Sequence, residues 1–235
     1  MKPKVYCHYL DKIDYKKGCE YQEALFNEAI SRKKTRRTEG SGPLPENHLI
    51  FCEHPHVYTL GKSGDRENLL IDNHALKEKG AVFYKTNRGG DITYHGPGQL
   101  VVYPIFDLEQ FFTDIHKYMR FLEESVIKTL EVYNIAGERS QGLTGVWIQP
   151  QKPQARKICA MGVKSSRWVT MHGIGFNINP NLSYFENIIP CGITDKNVTS
   201  LSKELGKEIT TSEVTPVFLE KMAEQFNFKP IIFNK

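Results

Sequence analysis

The chain has 235 residues, 40% hydrophobic and 25% charged, with 31 Lys+Arg against 27 Asp+Glu for a net charge of +4. That length sustains one sizeable core, and the mild basicity suits an acidic partner without marking nucleic-acid binding. The N-terminal MKPKVYCHYLDKIDYKK has no apolar core of signal-peptide length, and no run reaches the ~18 apolar residues of a membrane span. The five cysteines (7, 19, 52, 159 and 191) are odd in number and scattered, without CxxC or Cys/His zinc spacing. They suggest neither a disulfide framework nor a metal site, and a reduced cytoplasm fits best.

In chain order, residues 4–10 read as a first strand. Tyr21 to Ile30 reads as a helix, with Ala24, Leu25, Ala29 and Ile30 at helical spacing. Residues 31–47, SRKKTRRTEGSGPLPEN, begin basic and end rich in Gly, Pro and Ser, as a solvated helix end followed by a flexible loop. HLIFCEHPHVYTLGKSG (48–64) predicts a strand, a turn at Pro55 and a second strand ending at Gly61. A short helix closed by Gly80 and a brief strand from Val82 to Lys85 follow. Leu100 to Phe106 is another strand, in which Pro104 hints at an edge or a bulge.

Asp114 to Tyr133 carries the longest apolar stripe, through Ile115, Tyr118, Met119, Leu122, Val126, Leu130 and Tyr133. Gly142 to Ile148, Lys157 to Val163 and the glycine-interrupted Val169 to Ile178 read as strands. Residues 199–205 form a short helix capped by Thr199 or Ser200 and ended by Gly206. Val217 to Phe226 is a terminal helix that Thr215 and Pro216 would start. This irregular alternation predicts an α+β fold with a mixed sheet, in one domain over residues 1–235.

The chemistry concentrates in RGGDITYHGPGQLVVYPI, residues 88–105. Gly89, Gly90, Gly96 and Gly98 permit positive φ and close approach of a ligand to the backbone. The spacing fits neither the dinucleotide fingerprint nor a Walker loop. A single RGG in an apolar context is no RNA-binding tract. Further on, Cys191 sits between Pro190 and Gly192 in ENIIPCGITDKNVTSL. A thiol in a turn becomes a nucleophile only when something lowers its pKa. By residue type the candidates are His95, His172 and the lysines of ARKICAMGVK.

RGGDITYHGPGQLVVYP resembles the signature loop of the lipoyl(octanoyl) transferases, with its Arg-Gly-Gly, Thr-aromatic-His and Gly-Gln before a strand. KICAMGV, then HGIGFNIN, then IIPCGI with VTSL after it, is similar to that family's second half in order and spacing. EHPHVYTLGKSG resembles its first strand–turn–strand element. The resemblance covers roughly residues 45–205, and relative to it residues 31–47 look like a basic, Gly/Pro-rich insertion.

The resemblance implies a mixed β-sheet flanked by helices, similar to the biotin and lipoate protein ligase catalytic domain. It implies transfer of an octanoyl or lipoyl group through a cysteine acyl-thioester, needing no ATP, cofactor or metal. The donor would be octanoyl-acyl carrier protein; the acceptors would be lysines in lipoyl domains of 2-oxoacid dehydrogenase complexes or in the glycine cleavage H protein. By position the nucleophile is Cys191 and its partner Lys157. The substrate-contacting set would be Arg88, Gly89, Gly90, Asp91, Ile92, Thr93, Tyr94 and His95, then Ala160, Met161 and Gly162, then Gly173, Ile174 and Gly175. Backbone N–H groups around Gly89–Gly90 or Cys191–Gly192 would hold the oxyanion. Neither nucleic acid nor membrane is an expected partner. Three alternatives stay open: an ATP-dependent lipoate or biotin-type ligase of the same fold, an octanoyl amidotransferase, and a binding protein without turnover.

Overall fold

The computed structural model describes residues 2–189 and 197–233. The strands are β1 (Lys4–Lys12), β2 (Asn47–Glu53), β3 (Val57–Leu60), β4 (Val82–Lys85), β5 (Ile92–His95) and β6 (Gln99–Ile105). They continue with β7 (Glu138–Ser140), β8 (Leu143–Ile148), β9 (Arg156–Ser166), β10 (Val169–Asn177), β11 (Asn197–Val198) and β12 (Lys229–Ile232). The helices are α1 (Tyr15–Glu39), α2 (Asn73–Glu78), α3 (Ile115–Val132), α4 (Leu201–Leu205) and α5 (Thr211–Phe226).

The large sheet has the order β12-β1-β2-β6-β10-β9-β8-β7, with β11 pairing β9; a small sheet has the order β4-β3-β5. Parallel pairs (β1 with β2 and β12) and antiparallel pairs coexist, so the mixed α+β expectation holds. Period-2 side chains of β6 serve both faces. Leu100 and Val102 join α3 and α5 residues in one core, while Val101, Tyr103 and Ile105 join Phe26 and Ala29 of α1 in another. A third core, around Tyr58, Tyr94 and Ile92, backs the small sheet. Among the described residues no helix is long and apolar enough to cross a membrane.

Helix α3 starts one residue after the expected Asp114, whose side chain accepts from Lys117 N at 2.9 Å. Helix α1 extends beyond the expected Tyr21 to Ile30 at both ends. That helix buries Tyr15, Gly18, Gln22, Phe26 and Ala29, a stripe at helical spacing with a glycine and a glutamine in it, so the apolar signal fades at both ends. The basic run is therefore helical through Glu39, and the chain reverses at Gly40, with φ +70°. Pro104 is in a central strand, not at an edge. The ladder to β10 stops at Val102, opposite Ile174, and the Thr170 hydroxyl donates to Pro104 O at 2.8 Å where the ladder is interrupted. Likewise α5 starts at Thr211, a turn before the expected proline start. Thr210 and Glu213 form a capping box that outweighs Pro216, which sits inside the helix.

Residues 48–64 divide between the sheets. After Glu53 the chain leaves the large sheet, and β3 pairs β4 and β5 instead. This brings the loop between β4 and β5, residues 86–91, over the large sheet.

Candidate functional site: a cavity between the glycine loop and β9–β10

In β9 and β10, Gly173 lies opposite Gly162 and Gly175 opposite Ala160. A Cβ on Gly162 would stand 2.6 Å from Gly89 O, so only glycine lets the 88–90 loop rest on this strand. Gly89 N donates to Val163 O at 2.9 Å. On its other side the loop is held by Lys62 N to Arg88 O at 3.0 Å and Ser63 N to Gly90 O at 3.2 Å. Two of the four loop glycines, Gly90 and Gly98, take positive φ.

Loop and strands enclose a cavity of about 510 Å³. Arg88 through Thr93, His95, Lys157, Ala160 to Gly162 and Gly173 to Gly175 all line it. Tyr94 packs among Tyr58, Tyr184 and Phe185 instead, its hydroxyl 2.7 Å from His56 Nδ1. Cys191 lies outside the described residues, which resume at Asn197; β11 there pairs with Arg156 and Lys157.

The basic groups proposed from sequence have different fates. Arg88 is buried and spent on geometry: Nη2 donates to Thr59 O at 2.6 Å and to Thr59 Oγ1 at 2.9 Å, and Nη1 donates to Gly89 O at 3.1 Å. His95, bonded to Gln99 Oε1 at 2.6 Å, is pushed down to about 3, chiefly by burial and then by neighbouring His54. His172, bonded to Asn87 Oδ1 at 2.9 Å, also falls to about 3 through burial and the Arg88 charge. Both imidazoles are neutral at pH 7. Arg156 is committed to Glu204, at 2.5 Å. Lys164 lies over Phe26, 5.0 Å from its ring centroid. Lys157 is half-buried, lines the cavity and holds its Nζ 4.6 Å from the Trp147 ring centroid.

Other wall residues went unread in the sequence. Tyr103 and Tyr15 come from the α1 side, and Met119 from α3. Gly142 to Thr144 come from the turn into β8. Met119 sat inside an apolar stripe that looked like core. Tyr103 alternated within a buried strand, where its hydroxyl, 2.7 Å from His54 Nε2, was the one polar signal. Among the described residues, no three His, Cys, Asp or Glu side chains are grouped to hold a metal ion.

An α+β domain with this cavity matches lipoate ligases in fold. A bipartite lipoate protein ligase from Thermoplasma acidophilum superposes with TM-score 0.70 at 15% identity, covering 100% of this chain and 88% of that one. A lipoate-protein ligase A bound with ATP gives TM-score 0.68 at 14% identity, covering 100% and 90%. Residues 14–223 match the lipoyl protein ligase A/B catalytic domain, and the chain belongs to that family. Relatives called octanoyltransferase are much nearer in sequence. That of Christiangramia forsetii is 60% identical over 214 residues, 91% of this chain and 92% of its own. That of Flavobacterium johnsoniae is 58% identical over 228 residues, 96% and 98%.

Proposed function

We propose that this chain is an acyltransferase that moves an octanoyl group from acyl carrier protein to a lysine of a lipoyl domain, through a thioester on Cys191. The supporting observation is the selection among basic groups. Of the bases weighed as partners for the thiol, Lys157 is the lysine that lines the cavity, with its Nζ over the Trp147 ring, while both histidines there are neutral. The identity to octanoyltransferases supports the same reading.

The Cys191 thiol gives its proton to Lys157, and the resulting ammonium stabilises the thiolate. The thiolate attacks the octanoyl thioester carbonyl. Collapse of the tetrahedral intermediate expels the carrier thiolate, which takes the proton from Lys157. The acyl-enzyme then has a neutral Lys157 amine beside it. That amine accepts a proton as the acceptor lysine attacks, and Cys191 leaves as thiolate. One thioester replaces another in the first half, so no nucleotide is needed.

Eight chain carbons, each about the ~30 Å³ of a liquid water, fill roughly half of the cavity. Burying each methylene contributes ~0.8 kcal/mol. The remaining volume suits the thioester and an incoming lysine arm. Gly89 N–H is already donated to Val163, which removes one of the candidate oxyanion donors and favours Gly90 on that loop.

The test is octanoyl transfer from octanoyl-carrier protein to a lipoyl domain with and without ATP. Equal rates in both, lost in Cys191→Ser, are expected; an absolute ATP requirement would instead support the ligase reading.

A further inference from the structure

Ile158 and Cys159, adjacent on β9, both lie in the same buried core, on the side away from Lys157. In a regular strand an odd separation puts two side chains on opposite faces. The β8–β9 ladder resolves this. Val146 lies opposite Cys159 and Trp147 opposite Lys157, so Ile158 is an extra residue and the strand is bulged there. The bulge turns Lys157 towards the cavity.

Beside the bulge, one residue before Val146, stands Gly145 at φ +111°. A Cβ there would lie 2.5 Å from Cys159 O and 3.7 Å from Lys157 Cδ, so the lysine stem runs beside the glycine. Gly145 N donates to Glu123 Oε1 at 3.1 Å. Glu123 is a fully buried carboxylate on α3, and its Oε2 accepts from Arg120 Nη1 at 2.6 Å and Arg139 Nε at 3.0 Å. A buried carboxylate is costly unless such partners satisfy it. Glu123 thus ties helix α3 to the β7–β8 hairpin, and Gly145 of that hairpin lies beside the Lys157 stem. Met119, one turn before Glu123, belongs to the cavity wall.

We propose that Glu123 is a positioning residue: by holding Gly145 N–H it fixes the bulge that aims Lys157 into the cavity. This rests on the assignment of Lys157 as partner of the Cys191 thiol. The charged and titratable groups around the junction are Glu123, Glu124 and Arg120 from α3, Arg139 from β7, and Lys157 and Cys159 from β9.

The test reads the pH dependence of Cys191 alkylation by iodoacetamide, followed by peptide mass spectrometry. Lys157→Ala first sets the scale, with an expected upward shift of about one unit or more. Glu123→Gln cannot accept from both arginines and Gly145 together, and it is expected to reproduce at least half of that shift. Gly145→Ala leaves the carboxylate intact but crowds the bulge, and it is expected to shift in the same direction. It also serves if Glu123→Gln does not fold. Arg139→Lys keeps a cation at Glu123 and should stay near the wild-type profile. A wild-type profile in every folded Glu123 and Gly145 variant, with only the melting temperature lowered, would overturn the proposal. No shift in Lys157→Ala would instead overturn the underlying Lys157 assignment, and the proposal with it.

Discussion

The two stretches of the cavity wall contrast in how they use basic side chains. Around Gly162 and Gly173, Arg88 is consumed by Thr59 and Gly89 carbonyls, and His172 is bonded to Asn87 and uncharged. Around Lys157, five residues and therefore roughly 17 Å away along β9, the wall is built from Gly142, Leu143, Thr144 and Val198 of β11. The first stretch uses polar groups to shape a loop; the second presents an amine. Residue type alone left His95, His172 and the lysines of ARKICAMGVK as candidates for lowering the thiol pKa, and burial takes the two histidines out of that set.

The contrast breaks most sharply at the chemistry. Cys191→Ser should reduce octanoyl transfer by about 10⁴-fold or more, and Lys157→Ala by about 10³-fold, in steady-state assays. Substitutions at Arg88 should behave differently. Arg88→Lys loses the forked contact with Thr59, and the expected result is a lower melting temperature and a raised KM with kcat changed less than tenfold. A kcat collapse in Arg88→Lys matching that of Lys157→Ala would erase the distinction between the two stretches.

Next in size is the glycine contact. Gly162→Ala pushes a methyl group against Gly89 O and Arg88. Overpacking of ~1–3 kcal/mol, at ~2–4 °C per kcal/mol, lowers the melting temperature by several degrees. Acyl-chain binding should weaken with it, measured as the donor KM.

The neutral histidines give a pH signature. His95 and His172 ionise near 3 in the folded chain against 6.5 for the ordinary side chain. Between those values the unfolded chain binds protons that the folded chain does not, so their contribution is complete above about 6.5 and declines as pH falls. Denaturant unfolding at pH 7.5 and 5.0 should show His172→Gln losing ~2 kcal/mol less than wild type over that interval. Equal losses would mean that His172 is charged in the fold.

The smallest effect belongs to the basic run of α1. Arg32 is paired with Glu28 and Glu46, and Lys33 with Asp107 and Glu109. Lys34 and Arg37 are exposed. Neutralising Lys34 and Arg37 should slow acylation by carrier protein a few-fold at low salt only, while Lys33→Ala should chiefly cost stability. A steering role for the whole run requires all of these to lower the salt-dependent rate equally.

Much of this was legible in the sequence because the site is made of backbone-dictated features. Glycines at 89, 90, 162, 173 and 175 mark where loop and strands approach, and most of the large sheet's strands show as apolar runs between turn residues. What stayed hidden depends on register. Nothing in KICAMGV announces that Ile158 is the extra residue that turns Lys157 inward. Glu123 is not among the apolar residues that mark the buried stripe of α3, yet it is fully buried among two arginines and an amide. Tyr94 sat inside the signature loop by sequence, but its ring belongs to the small-sheet core.

The thioester on Cys191 is tested most directly by intact-mass analysis of the protein after incubation with octanoyl-carrier protein alone, without ATP or acceptor. The expected result is a mass gain of one octanoyl group, mapped to Cys191, cleaved by hydroxylamine, absent in Cys191→Ser and strongly slowed in Lys157→Ala. No adduct on the wild-type chain with a competent donor, or an adduct on another residue that persists in Cys191→Ser, would contradict it.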